Sequence, residues 1–365
     1  MKAEAAVIGG GIVGLATTLA LRNGGIDALC FERGVAGQGQ SAGQVRLFRH
    51  RHDDERLIRL ALAARQGWME WESRASTELL GREGVLRFGD DVDSAMVRLR
   101  EAGVAVELLS AAEQAEVLPG LASPAEKALF ESSAGAIRVQ RAIELLLGWL
   151  GRRVLLAEVF GVERLRSGLR LRTSGGSCDC ERLVICAGTG TPALAAQLGV
   201  EIPIVVRCHP RVTFLNRERG RRMAGLQDSS GAHGELVYGV PCGDGERYVV
   251  GLVGPDSDAS CDQATGVLSS DIGPLVQRVQ DYVSRAMGGL LPEVASLRLC
   301  HTTKLGERKD AFAVWAAAGA VAIAGNNLFK FAPALGRVLA EAATSNEVPT
   351  SVPSGVEEAF LARAS

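Results

Sequence analysis

The stretch Val7-Ile8-Gly9-Gly10-Gly11-Ile12-Val13-Gly14 constrains this chain more than any other. An apolar strand, Ala3 to Ile8, runs straight into three glycines, and a helical pattern from Gly14 to Arg22 follows until Asn23-Gly24-Gly25 stops it. A second apolar strand, Ile26 to Glu32, completes a βαβ unit, the opening of a doubly wound α/β fold. In this G-x-G-x-x-G spacing Gly9 makes the tight turn, Gly11 lets backbone approach a pyrophosphate, and Gly14 lets the helix pack close to the strand. Phosphate charge then meets free N–H groups at the helix N-terminus, where the dipole favours it. Glu32 ends the second strand, where a carboxylate accepts hydrogen bonds from ribose hydroxyls and disfavours a 2′-phosphate. The chain is therefore read as binding a dinucleotide.

The rest of the composition narrows the class. At 365 residues, 47% apolar and 22% charged, the chain exceeds one ordinary core and divides into two domains or one fold with an insertion. Its arginines are interspersed with acids to a net charge of −2, which argues against nucleic acid as partner. Glycines 9 to 11 interrupt the N-terminal apolar stretch that would otherwise resemble a signal peptide. The longest apolar run, Ala311 to Gly325, is short of the roughly 20 residues a membrane span needs. The eight cysteines are scattered, several in strand-like runs such as those of Cys30 and Cys186, as expected of free thiols in a reducing cytoplasm. Cys178 and Cys180 form a CxC with no second pair at zinc spacing, so they read as a turn leading into a strand, and no metal site is expected.

Helical patterns cover Arg56 to Glu72, Ser94 to Ala102 and Ile137 to Leu150. Strands are expected at Val104 to Leu109, Val154 to Val159, Leu169 to Thr173 and Arg182 to Ala187, the last followed by Gly188. From about 201 to 299 the character changes. Extended runs, Val205 to Leu215, Glu235 to Val240 and Arg247 to Val253, are separated by turns such as Gly243-Asp244-Gly245, with one helix at Ile272 to Met287. After Cys300 the α/β style returns: a strand Val321 to Ala324, Gly325, then a helix to about Ala343. The implied plan is a discontinuous, Rossmann-type nucleotide domain from residues 1–86, 137–200 and 300–347. A mixed, mainly antiparallel substrate domain from 87–136 and 201–299 is inserted over it. Residues 348–365, with Pro349, Pro353 and Gly355, are expected to form a loosely held tail.

FAD is favoured over NAD by the fingerprint's place at the N-terminus, by Glu32-Arg33 after it, and by two further strands that end in glycine. These are Leu183 to Gly188 and Val321 to Gly325, and they make room for one extended cofactor across the sheet. The cofactor set is then Gly9, Gly11, Gly14, Glu32, Arg33, Val159, Gly188 and Gly325. Together with Arg46-Leu47-Phe48-Arg49-His50, Gly84-Val85-Leu86, Tyr238-Gly239-Val240-Pro241, Cys300-His301-Thr302-Thr303 and Phe329-Lys330-Phe331, these segments resemble the D-amino-acid-oxidase superfamily of FAD enzymes. Within it the likeness is to monomeric sarcosine oxidase and N-methyltryptophan oxidase, in the family's order over nearly the whole chain.

The resemblance implies oxidation of the C–N bond of an amino acid or related amine, with hydride passing to flavin N5 and an imine as product. It implies that Arg49 and Lys330 grip the substrate carboxylate, the first through a two-pronged fork and the second as a point charge. Arg46 would lie close to the flavin ring, where a fixed positive charge stabilises the reduced form. Tyr238 would stand at the roof of the substrate site, and Cys300 would hold FAD through a thioether to the 8α carbon. Read without the resemblance, Arg46 forms a surface ion pair, Arg49 is a solvated member of the basic stretch, Lys330 starts a helix, Tyr238 is a core tyrosine and Cys300 an inert buried thiol. The sequence also departs from the family: Val249 stands where it places a lysine, Val253 where it has a histidine and Thr302 where it has a tyrosine. The loop before Lys330 is shortened to Gly325-Asn326-Asn327-Leu328-Phe329. Hydride transfer needs alignment and a neutral amine, which these losses spare. Reaction with oxygen wants a nearby cation, leaving Lys304 or Arg46 to supply it, or a dehydrogenase that uses another acceptor. The apolar replacements imply a bulkier, less polar substrate than sarcosine.

Overall fold

The structure, a computed structural model, describes residues 1–263, 265–306, 311–317 and 319–355. The strand Lys2–Ile8 lies inside an eight-stranded sheet whose main path runs Phe312–Ala317, Ala320–Gly325, Gly176–Ile185, Lys2–Ile8, Ala28–Glu32, Val154–Leu156. The central pairings are parallel. Such strands are buried on both faces and so read as continuous apolar runs. Alternate residues serve two cores. Ala5, Val7, Cys30, Val184 and Val321 pack against the helices Ile12–Asn23, Val139–Leu150 and Ala332–Ser345. Ala6, Ile8, Phe31, Leu183 and Ala322 face the strands Val159–Arg164 and Leu169–Thr173 and the short helix Thr191–Ala196.

A nine-stranded, mostly antiparallel sheet forms the second layer, in the order Ala259–Ser260, Ile204–Leu215, Arg247–Leu252, Val237–Pro241, Gly225–Asp228, Val85–Phe88, Ala128–Glu131, Glu107–Leu109. Ser296–Leu305 pairs with Ile204–Leu215 from Ile204↔Leu305 to Thr213↔Ser296. Along this long strand the side chains alternate. Val212 and Phe214 join Tyr248, Val250 and Leu252 against the helix Gly273–Ala286, while Arg207, His209 and Arg211 turn toward the first sheet. A two-stranded ribbon, Val45–Phe48 with Gly135–Arg138, lies beside both.

Several expectations shift. The stretch expected to be helical from Ile137 begins as the strand Gly135–Arg138, because the ribbon captures it; the helix starts at Val139. Only Glu107–Leu109 of the strand expected from Val104 is extended, and the one expected over Val154 to Val159 breaks into Val154–Leu156 and Val159–Arg164. Cys178 and Cys180 lie inside the strand Gly176–Ile185, not in a turn. Both point into the core, while Asp179 between them meets Arg170 at 2.6 Å. The apolar run from Ala311 folds into the hairpin Phe312–Ala317 and Ala320–Gly325. The expected boundary at 86/87 falls inside the strand Val85–Phe88, and that at 299/300 inside Ser296–Leu305. In each case the ladder continues across the junction in the nine-stranded sheet. The tail is held as far as Gly355: Val352 is buried, and the Val314 N–H on the edge strand donates to Pro353 O at 3.0 Å. An edge strand has open N–H groups that such a segment satisfies. Residues 356–365 lie outside the described residues. Among the described residues no helix is long and apolar enough to cross a membrane.

The helix Glu55–Ala75 anchors the loop that carries Lys330. Trp68, 0% exposed, stacks on Phe329 with centroids 6.4 Å apart, and its Nε1–H donates to the Lys330 carbonyl at 2.8 Å. Trp68→Ala is expected to cost about 3–5 kcal/mol of stability, the usual range for an aromatic removed from a full core. The shift of the urea midpoint at constant slope measures it; a loss under about 1 kcal/mol would mean the loop is held by other contacts.

Candidate active site

The strand ends of the first sheet and the polar face of the second enclose one cavity of about 2030 Å³. That is well above the roughly 300–1,000 Å³ of ordinary small-molecule pockets. Gly9, Gly11, Glu32, Arg33, Val159, Gly188, Cys300 and Gly325 line it, and so do Arg46, Arg49, Tyr238 and Lys330. Gly14 stands apart from the lining, one turn into the first helix.

At the nucleotide end the backbone leaves no room for side chains. Gly9 has φ +107°, and a Cβ there would lie 2.4 Å from Cys186 O; one on Gly14 would lie 1.9 Å from Gly9 O. Glu32 accepts from Gly10 N–H at 2.7 Å and from Gly34 N–H at 2.9 Å, which pins the fingerprint to the loop after the second strand. Ser41 Oγ accepts from Ile12 N–H at 3.0 Å, standing where the helix end offers its free donors. Gly188, with φ +59°, turns the chain away from the strand end, and a Cβ there would meet Gln40. This cradle of bare backbone, a helix N-terminus and a strand-end carboxylate fits the ADP half of FAD.

At the other end, cations gather. The Arg46 guanidinium donates to the carbonyls of Val45, Gln40 and Ala42 and sits 5.6 Å over the Phe329 ring. Burial, with Arg211 adding repulsion, pulls Arg46 down to about 9. Lys330, 5% exposed, lies 5.1 Å over the Phe331 ring. Arg211 reaches toward the side chains of Tyr238 and Cys300, its carbon 5.8 Å over the tyrosine ring. Two arginines side by side in a cavity wall make a place where negative charge is favoured. Cross-strand register supplies the roof: Arg87, Gln227, Tyr238 and Gly251 are successive partners across four strands. Arg87 and Arg51 are both bound by Asp91, at 2.7 and 2.5 Å. Val249 packs with Val45, Ala136 and Val240 in an apolar cluster, and Lys304 is tied to Asp258 Oδ2 at 2.5 Å.

Sequence reasoning missed Ser41, His209, Arg211 and Asp258. A signal for two of them was present, since Arg207, His209 and Arg211 recur at every second position of an otherwise apolar strand. His209 joins Asp258 at 2.7 Å and Tyr238 Oη at 3.0 Å.

Residues 4–342 match the family model described as FAD dependent oxidoreductase. The chain is 24% identical over 378 residues to monomeric sarcosine oxidase from Arthrobacter sp., covering 93% of this chain and 92% of that one. It is 29% identical over 215 residues to N-methyl-L-tryptophan oxidase from Salmonella arizonae, a match spanning 55% of this chain and only 57% of that enzyme's length. Its fold superposes on NikD, an unusual amino acid oxidase essential for nikkomycin biosynthesis, with a TM-score of 0.83, 20% identity and coverage of 97% and 98%. A dinucleotide cradle continuous with a cation-lined chamber is thus accompanied by a family match over nearly the whole chain, and the protein belongs to the FAD-dependent oxidoreductases.

Proposed function

We propose that this enzyme oxidises the C–N bond of an amino acid or N-methyl amino acid to an imine. The observation that carries the reading is that the glycine fingerprint and the three cations Arg46, Arg49 and Lys330 all open on the same cavity. The names of the relatives, sarcosine oxidase and N-methyl-L-tryptophan oxidase, support the substrate class. FAD, held by Gly9, Gly11, Glu32, Arg33, Val159, Gly188 and Gly325, supplies the hydride acceptor. Arg49 offers a planar fork for the substrate carboxylate and Lys330 a second charge, on a loop that Trp68 keeps in place. Tyr238 closes the chamber from above. Leu252, Val253 and Leu275 in the lining favour a side chain bulkier than that of sarcosine. A screen of amino acids and N-methyl amino acids for anaerobic bleaching of the flavin tests the reading; a flavin that none of them bleaches would end it.

A second reading, a dehydrogenase with an acceptor other than oxygen, draws on Val249 in its apolar cluster and on Lys304 tied to Asp258. Neither places a free ammonium over the ring. Reduced enzyme mixed with air decides: reoxidation within seconds favours the oxidase, and persistence for minutes the dehydrogenase.

Cys300 lines the cavity beside Arg211 and Arg46 as the proposed thioether anchor. The wild-type protein is expected to carry its yellow colour into the pellet on acid precipitation, and Cys300→Ala to release it. Colour left in the wild-type supernatant would show that FAD is bound without a covalent link.

A further inference from the structure

We propose that Tyr238, His209 and Asp258 are the route by which the bound substrate's ammonium group loses its proton before the C–N bond is oxidised. The inference rests on the amine-oxidation reading above. Amino acids arrive as ammonium ions, whereas hydride can leave only once the nitrogen has a lone pair to share.

The Tyr238 ring lies along the roof because its strand neighbour is Gly251, where a Cβ would stand 2.5 Å from the phenol oxygen. Its ring stacks on His209 with centroids 5.8 Å apart and 22° between planes, and its oxygen lies 3.0 Å from His209 Nε2. Asp258 Oδ1 is 2.7 Å from the other ring nitrogen, Nδ1. A carboxylate there fixes the tautomer: Nδ1–H donates to Asp258, so Nε2 keeps its lone pair and accepts the Tyr238 O–H. The phenol oxygen then accepts from the Arg211 guanidinium with one lone pair and turns the other to the cavity. In the step, the ammonium N–H proton passes to Tyr238 Oη as the Tyr238 proton passes to Nε2. This leaves a neutral amine, a neutral tyrosine and an imidazolium against Asp258, with no electrons moved.

The other charges around His209 decide how long that imidazolium lasts. Lys304 shares Asp258, at 2.5 Å from Oδ2; Arg207 and Arg211 flank His209 on the same face of its strand, Cys300 is its cross-strand partner, and Arg46 lies beyond Arg211. Burial works against the Asp258 carboxylate, but the hydrogen bonds from His209 and Lys304 outweigh it and hold this group below the usual carboxylate range. These four cations oppose a lasting imidazolium, so the proton moves on toward solvent past the partly exposed Lys304. Tyr238 touches the substrate; His209 and Asp258 act through it as positioning residues.

The test follows anaerobic flavin reduction from about pH 6 to about pH 10 in the holoenzyme, using an amino acid that bleaches it. His209→Gln retains a hydrogen-bonding partner for Tyr238 and cannot titrate. Its limiting reduction rate is expected to fall about 100-fold near neutral pH and to approach wild type near pH 10, the rise having moved up by more than one unit. Asp258→Asn, which frees the tautomer, should shift the rise the same way. Binding of propionate, a carboxylate without an amine, read by the flavin absorbance change, should match wild type in both variants. An unchanged pH profile in both variants, or rates lowered equally at every pH, would reduce the cluster to a structural role and overturn the relay. Failure of every amine to reduce the wild-type flavin at any pH would instead remove the amine-oxidation reading, and the relay with it.

Discussion

Gly14→Val is expected to purify colourless and to melt at least about 5 °C below the wild type. Even a single Cβ at this position would lie 1.9 Å from the carbonyl oxygen of Gly9, which is backbone and has no rotamer to change. The helix Ile12–Asn23 must therefore lift off the strand. It is blocked on its far side as well, because Gly336 brings the helix Ala332–Ser345 to where a Cβ would stand 2.7 Å from the Ala16 carbonyl. Overpacking usually costs about 1–3 kcal/mol and more where nothing can yield, and in a chain this size each kcal/mol moves the melting point by roughly 2–4 °C. The same displacement withdraws the helix-end amides from the pyrophosphate they would bind. The ratio of flavin to protein absorbance and a thermal melt read both effects. A yellow protein of ordinary stability would refute the tight turn as the basis of cofactor binding.

Arg49→Ala and Lys330→Met should each weaken amino-acid substrates by about 10- to 100-fold while leaving the yellow colour intact. A hydrogen bond to a charged group is worth about 1.5–3 kcal/mol, and 1.4 kcal/mol is a factor of ten. Because both cations would act on one carboxylate, the double variant is expected to lose less than the product of the two. Lys330 is the more demanding position, being 5% exposed between Phe329 and Phe331. Methionine fills the same volume without the charge, so the variant asks about the ammonium and not about packing. The substrate dependence of anaerobic reduction gives the affinity, and an amine lacking a carboxylate serves as control. If both variants hold carboxylate substrates as the wild type does, the proposed grip is wrong.

What could be seen in the sequence follows from range. The turn at Gly9 to Gly14, the strands ending at Glu32 and Ile185 and the helix after Lys330 are local patterns, written in consecutive residues, and they stand close to where they were expected. The two-layer plan was legible for the same reason: doubly buried strands read as apolar runs, and half-buried ones alternate. The short strands Val45–Phe48, Val85–Phe88 and Ala128–Glu131 carry no such signal, since each is set by a partner far away in sequence. That is also why the expected domain limits cut through strands. The site divided likewise. Residues in recognisable segments, among them Arg46, Tyr238 and Lys330, were named in advance and do line one cavity. Asp258 carried no local signal, and the alternation that marks His209 does not tell its meaning, which lies in meeting Tyr238 and Asp258 across loops and strands. Of the two cations left open for oxygen chemistry, Lys304 and Arg46, the Lys304 ammonium is engaged by Asp258.

The path of the chain between its two large sheets has a mechanical corollary. It leaves the first sheet after Glu32 to enter the second at Val85, returns between Glu131 and Val154, crosses again between Ile185 and Ile204, and comes back after Leu305. Neither half is one uninterrupted length of polypeptide, so neither can be cut out and made alone by truncation. Repeated crossings also act as tethers that limit swivelling of one layer over the other.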